Sequence, residues 1–372
     1  MLSFLKKKYR TLNTVEIFES ALIHNLNLFK KLVPRISVCP VLKSNAYGFG
    51  LTEVAKILEK QNPEFFVVDS LYEAYKLKKA RIHTPILILG YTLPENLRIK
   101  RLPFHFTVSD LATARKFQKL KNPIHIELDT GMGRMGFKME TFKNNLKELR
   151  EINLNIQGIF THFADADNPD NTYTKTQYQL FEDAIKLCKE EGFNPKWIHS
   201  QNSAAALKLK SPYLNMMRLG LSLYGISPYQ ESDEAYEFLT DLKPALEVKS
   251  TLILVKNLQK GEKVSYGCTF TAPHDMKIGV VPFGYYEGIP IALSNKGYLQ
   301  VKGEFCPILG RVCMNHTMID LKKIDAKIGD EVIIYSKDPE ALNSFTSSAK
   351  FANTIPYELM VRLSESTRRE VN

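Results

Sequence analysis

The chain has 372 residues, 44% of them hydrophobic and 24% charged, the balance of a soluble globular protein with enough length for two domains. Its 50 Lys+Arg against 40 Asp+Glu give a net charge of +10, spread along the chain apart from the Lys6-Lys7-Lys8 run. With no nucleic-acid-binding motif beside it, that excess reads as solvated surface, and acidic small substrates are as simple a partner as any polyanion.

Five scattered cysteines (Cys39, Cys188, Cys268, Cys306, Cys313) form no Cys-x-x-Cys, which argues for a reducing compartment and against a zinc site or disulfide framework. The opening "MLSFLKKKYR" lacks an apolar stretch of signal-peptide length, and no later run is long enough to cross a membrane. The expectation is a cytoplasmic protein with neither nucleic acid nor membrane as partner and no metal.

In chain order, residues 1–11 are expected as a strand joining a later β domain. From 36 to 225, short apolar runs alternate with helix-period segments: "ISVCPVLK", "FFVVDS", "PILILG", "HFTVS", "IHIELDTG", "IQGIFTHFA", "WIHSQNS" and "MMRLGLSLYG". Amphipathic stretches such as "LTEVAKILEKQ" and "METFKNNLKELREI" lie between them. The alternation predicts an α/β fold, with a (β/α)8 TIM-type barrel over 12–243 favoured and a doubly wound sheet still open. The third connection, "YTLPENLRIKRLP", is a weak helix, and the acidic stretch at 231–237 reads as a linker. Beyond Pro244, short alternating runs ("ALEVKSTLILVKNL", "KVSYGCTF", "KIGVVPFGY", "GYLQVKG", "TMIDL", "DEVIIYS") are separated by turn residues. A helical tail, "TSSAKFANTIPYELMVRLSES", follows them. This predicts a mainly antiparallel β domain over 244–372.

Barrel enzymes build their sites at the C-terminal ends of the strands, and polar residues gather there. Lys43 ends the first run, Asp129 and Arg134 follow the fifth, and His162 ends the sixth. His199, Asn202 and Ser203 end the seventh, and Arg218 lies in the eighth. Each has a plain structural alternative: a satisfied core histidine, a snorkelling lysine, Ser203 as the N-cap of "AAALKLK". Their convergence on one rim argues for function. A lysine among other cations in low-dielectric surroundings can become a nucleophilic amine able to condense with an aldehyde. Pyridoxal phosphate would account for the arginines, glycines and hydroxyls nearby.

"VLKSNAYGFG" (41–50) resembles the cofactor-lysine signature of the alanine racemase family, and "DTGMGRMGF", "THFADAD", "HSQNSAA", "RLGLSLYG", "VSYGCTF", "GRVCMN" and "IPYELMVRLS" follow in that family's order. The resemblance spans nearly the whole chain. It implies a fold-type III pyridoxal-phosphate isomerase, a barrel plus β domain, pairing head to tail as a homodimer with shared active sites. The implied reaction is two-base interconversion of L- and D-alanine, supplying D-alanine for bacterial peptidoglycan. By the same resemblance, Lys43 holds the cofactor and acts as one base, and Tyr266 is the other. Tyr47, Ser203, Tyr357 and the N–H groups of Gly220 and Leu221 bind its phosphate. Arg218 faces the ring nitrogen, and His162 links Tyr266 to that arginine. Arg134 and the N–H of Met314 bind the substrate carboxylate, with Glu127, Asn202 and Asn315 in supporting places.

The chain departs from the family pattern at several positions. Glu127 stands where many members carry a carbamylated lysine, and Asn315 where an aspartate is usual. Glu287 replaces an aspartate, Ile291 an arginine at the channel mouth, and Phe49 and Leu219 a frequent His and Pro. These changes bear on substrate breadth. A broader amino-acid racemase is therefore one alternative. A pyridoxal-phosphate homeostasis protein is opposed by the second domain and Tyr266, and a related decarboxylase is opposed by Arg218.

Overall fold

In the computed structural model, residues 9–99 and 102–372 are described. Of the strand expected at 1–11, residues 1–8 lie outside the described residues, and 9–11 carry no strand. The described chain forms two compact units. One comprises residues 20–46 and 51–243, and the other the stretch up to Glu19 with 47–50 and 244–372.

The first unit contains eight short parallel strands: Ser37–Pro40, Phe66–Val68, Ile86–Ile88, His105–Val108, Ile124–Asp129, Ile156–Thr161, Trp197–His199 and Met216–Leu219. The second to seventh follow one another in a single sheet, and the eighth pairs with the first. Backbone bonds close both seams. Val41 bridges Val67, with Leu42 N–H donating to the Val67 carbonyl at 2.8 Å, and Arg218 N–H donates to Gln201 O at 2.9 Å. The sheet is therefore a closed barrel, and the doubly wound alternative falls away.

Helices cover the strands as the periodicity predicts. Met139–Ile152 buries Phe142, Leu146, Leu149 and Ile152 on one stripe and ends at Asn153, whose φ of 59° takes the left-handed C-cap. The third connection holds no α-helix among its described residues, only the 3-10 turn Pro94–Arg98. Proline starts such a turn readily, but the stretch offers no apolar stripe to extend it.

In the second unit, nine strands form one sheet in the order Leu254–Leu258, Met276–Val281, Thr317–Asp320, Glu304–Leu309, Tyr298–Val301, Glu331–Tyr335, Leu246–Thr251, Thr14–Ile17 and Arg368–Val371. All neighbours are antiparallel except the last pair. Residues 14–17, expected in the barrel domain, thus extend this sheet instead. Leu258, Val264, Ala272, Ile278 and Leu309 pack together at one end of it, with Phe270, Met276 and Met318 against them.

Candidate active site

Lys43 emerges half-buried just past the first barrel strand. The next four residues take left-handed backbone angles, Ser44 at φ 55°, Asn45 at 56°, Ala46 at 53° and Tyr47 at 54°. For residues with a Cβ this costs about 1–2 kcal/mol each, so the turn persists only if it is tied down. Glu73, 8% exposed, does the tying. Its Oε1 accepts from the N–H groups of Ser44 (2.6 Å) and Asn45 (3.4 Å), while Oε2 accepts from Asp69 (3.0 Å) and Ser70 (3.3 Å). Hydrogen bonds to a charged acceptor contribute about 1.5–3 kcal/mol each, the same order as the strain. Asn45 adds a bond from Leu51 N–H to its Oδ1 at 2.9 Å. Glu73 also completes the capping box of Leu71–Lys79 with Ser70. Sequence reasoning passed over it, although Ser-x-x-Glu before an apolar run is a readable cap.

Arg218 is 3% exposed and held from several sides. One terminal nitrogen lies 2.6 Å from His199 Nδ1 and 3.2 Å from the His199 carbonyl. The other reaches the Thr161 carbonyl at 2.9 Å, His162 Nδ1 at 3.2 Å and the Ser200 carbonyl at 3.3 Å. The ring of Phe160 lies 5.2 Å from the guanidinium carbon. Burial brings its pKa down to about 10, so it remains charged at neutral pH. A guanidinium only donates, so His162 Nδ1 accepts and the proton of that ring is on Nε2. Burial first, then the charges of Arg218, Arg134 and Lys43, brings His162 down to about 3 and keeps it neutral. The three cations surrounding this histidine make a rim suited to anionic ligands.

Asn202 takes the capping role the sequence suggested for Ser203. Asn202 Oδ1 accepts from the N–H groups of Ala204 (3.1 Å) and Ala205 (2.8 Å) and starts the short helix Ala205–Lys208. Ser203 is not the cap. Its hydroxyl oxygen accepts from the N–H groups of Gly220 (3.1 Å) and Ser222 (3.4 Å), just past the eighth strand, where Leu221 opens a 3-10 turn. Two backbone donors converging on one oxygen form a cradle that also suits a phosphate.

Asp129 ends the fifth strand and shapes the following loop by accepting from Gly131 and Gly133 N–H, both at 3.0 Å. Arg134, further along that loop, is exposed. Glu127 is 3% exposed, and its Oε2 has no hydrogen-bond partner among the described residues. Burial raises its pKa, with Arg134 and Arg218 pulling it down. Glu127 and Arg134 feel each other's charge but form no ion pair among those found in the described residues.

In the second unit, the rings of Tyr47 and Tyr357 lie 6.4 Å apart, and burial and then Tyr357 raise the Tyr47 pKa, keeping it a neutral donor. Tyr266 is 70% exposed, between Ser265 (φ 66°) and Gly267 (φ 72°) in a loop joining the short strands Lys263–Val264 and Phe270–Thr271. Met314 is 55% exposed, and its carbonyl accepts from Tyr286 N–H at 2.9 Å. Two of the departures meet here. Asn315 Nδ2 donates to Glu287 Oε1 at 2.7 Å, and Glu287 Oε2 accepts from Gly284 N–H at 2.8 Å. With Asn at 315 this contact is a donor–acceptor pair, where the usual pattern carries a carboxylate at both positions.

Two family models match in tandem: "Alanine racemase, N-terminal domain" over residues 17–228 and "Alanine racemase, C-terminal domain" over 245–371. The chain is 36% identical over 365 residues to the alanine racemase of Methanococcus maripaludis, covering 95% of this chain and 97% of that one. It superposes on the alanine racemase of Clostridium difficile 630 with a TM-score of 0.91 and 34% identity, covering 98% and 97% of the two chains. The Bartonella henselae enzyme, with covalently bound pyridoxal phosphate, shares the fold at TM-score 0.86 and 23% identity, over 98% of this chain and all of that one. Fold and both domain matches agree: the chain belongs to the alanine racemase family.

Proposed function

We propose that this protein interconverts L- and D-alanine with pyridoxal phosphate as cofactor, as a head-to-tail homodimer in the cytoplasm, supplying D-alanine for the cell wall. The observation that carries this reading is the Arg218–His162 pair, a fixed donor-only guanidinium bonded to a neutral histidine whose proton is on Nε2. The residues fit the cofactor. The cradle at Ser203 and Gly220 offers phosphate donors, together with Leu221 N–H, the neutral phenol of Tyr47 and the hydroxyl of Tyr357. Lys43 is the amine that would hold the aldehyde carbon. Arg218 has no lone pair to accept a proton, so a ring nitrogen placed against it stays unprotonated.

When bound, pyridoxal phosphate supplies the conjugated ring that acidifies the substrate Cα–H. The protein's part is to move that proton between faces. Lys43 takes or returns it on one face, and the partner chain's copy of Tyr266 does so on the other. A phenol is a reluctant base at neutral pH, and the Nε2–H of His162 is a donor suited to stabilising its phenolate. Arg134 and Met314 N–H bind the substrate carboxylate, and the buried Glu127 carboxylate attracts Arg134 without needing carbon dioxide. The exposure of Tyr266 and Met314 on the single chain suits residues that complete a partner's site.

The test is incubation with L-alanine, L-serine and L-lysine in heavy water, following chirality and Cα deuteration. Racemisation of alanine with deuterium incorporation is expected. Equal turnover of serine or lysine would establish a broader racemase, for which Asn315 and Ile291 are the reason to look. Loss of carbon dioxide, or no exchange, would sink the reading.

A further inference from the structure

Three histidines with no part in the proposed proton transfer stand in line inside the barrel. His105 opens the fourth strand, His125 lies in the fifth and His199 ends the seventh. Their rings are bonded in series: His105 Nδ1 to His125 Nε2 at 3.2 Å, His125 Nδ1 to His199 Nε2 at 2.9 Å, and His199 Nδ1 to Arg218 at 2.6 Å. The series starts at the N-terminal mouth of the barrel, where His105 lines an open cavity with His83, Lys121 and Asn122.

The donor pattern follows from one end. Arg218 can only donate, so His199 Nδ1 accepts, and this neutral ring carries its proton on Nε2. That N–H donates to His125 Nδ1, which places the His125 proton on Nε2. The same step places the His105 proton on Nε2. Neutrality holds along the series. Burial and then the Lys196 charge bring His105 down to about 4, while burial, neighbouring rings and Arg218 hold His125 and His199 well below the histidine range. The titratable groups at the open end are His83 and Lys121 in the cavity lining and Lys196, whose charge reaches His105, all cationic when protonated. A donor arriving at His105 Nε2 would move that ring's proton to Nδ1, reverse every bond and set an N–H of His199 against the N–H of Arg218.

A glycine keeps the middle ring in place. Gly158, in the sixth strand and paired with His125, needs no left-handed angle, but a Cβ there would lie 2.2 Å from His125 Nδ1.

We propose that His105, His125 and His199 act as one polarised array that fixes the orientation of Arg218, making His105, at the opposite mouth of the barrel, a positioning residue for that arginine. The test reads the His199 tautomer by 15N NMR of histidine-labelled protein without added cofactor, so it stands whether or not the chain racemises alanine. Wild type should show the Nε2–H form alone. His105→Gln offers a carbonyl to His125 and should retain that form. His105→Lys offers only donors and should bring in the Nδ1–H form, while Gly158→Ala displaces the middle ring, takes the acceptor from His199 Nε2–H and should shift that signal. In the loaded enzyme, an arm that does rest on the proposed racemase activity, both should lower kcat about tenfold with KM for alanine little changed. An Nδ1–H tautomer in wild type overturns the proposal, as does a His199 spectrum unchanged in both variants. If neither variant folds, the wild-type tautomer decides alone.

Discussion

The two units hold their candidate residues in opposite ways. In the barrel, Arg218 is 3% exposed and locked by carbonyls and imidazoles, and the strained turn after Lys43 is tied to Glu73. In the β unit, Tyr266 is 70% exposed and Met314 55%. The barrel thus preorganises its chemistry within one chain, at the cost of left-handed backbone and a buried charge. The β unit presents its residues on the surface, where a second chain can use them. Substitutions should therefore behave differently in the two units, with barrel changes disturbing stability and chemistry together and β-unit changes disturbing chemistry alone.

The largest effect is expected at Lys43. Lys43→Ala should abolish racemisation, because it removes both the cofactor anchor and one base. Borohydride treatment of the wild-type holoenzyme should fix the label on the peptide containing Lys43, and recovery on another lysine would refute that assignment.

Glu73→Gln comes next and probes the barrel's coupling of stability to chemistry. One acceptor oxygen is kept, while the new amide turns its donors toward backbone N–H groups. The expected loss is about 1–3 kcal/mol in urea unfolding, with weaker reaction of Lys43 with pyridoxal phosphate. A variant as stable as wild type would mean the left-handed turn needs no support from Glu73.

Acid should weaken the barrel more gradually. His105 and His162 are brought down to about 4 and about 3 from a usual 6.5, and His125 and His199 are lowered as well. Below pH 6.5 the unfolded chain binds protons that the folded chain refuses, so stability should fall as pH drops from 6.5 toward 4. Urea midpoints at pH 7, 6 and 5 should show it, with a shallower fall in His162→Asn.

The smallest effect is at Glu127. Glu127→Gln should raise KM for alanine severalfold through Arg134, with wild-type activity indifferent to bicarbonate depletion. Strong bicarbonate dependence would point to a carbamylated lysine elsewhere.

The same contrast explains what could be read from sequence. Lys43, His162, Ser203 and Arg218 were legible because each follows or lies in an apolar run, and a parallel barrel brings those ends together. Glu73 was not, since its second role depends on a left-handed turn that Ser44–Tyr47 do not advertise. The edge strand Arg368–Val371 escaped because three charged residues in four carry no hydrophobic alternation. Asn315 and Glu287 looked like two separate departures until one hydrogen bond joined them.

The central claim is that each site draws its lysine from one chain and its tyrosine from the other, and mixed dimers test it most directly. Lys43→Ala and Tyr266→Phe homodimers should each be nearly inactive. Co-refolding equal amounts should give about half heterodimers, each with one doubly altered and one intact site, so about a quarter of wild-type activity should return. Heterodimers that form, shown by tagged pull-down, yet stay at the homodimer level would contradict the shared site.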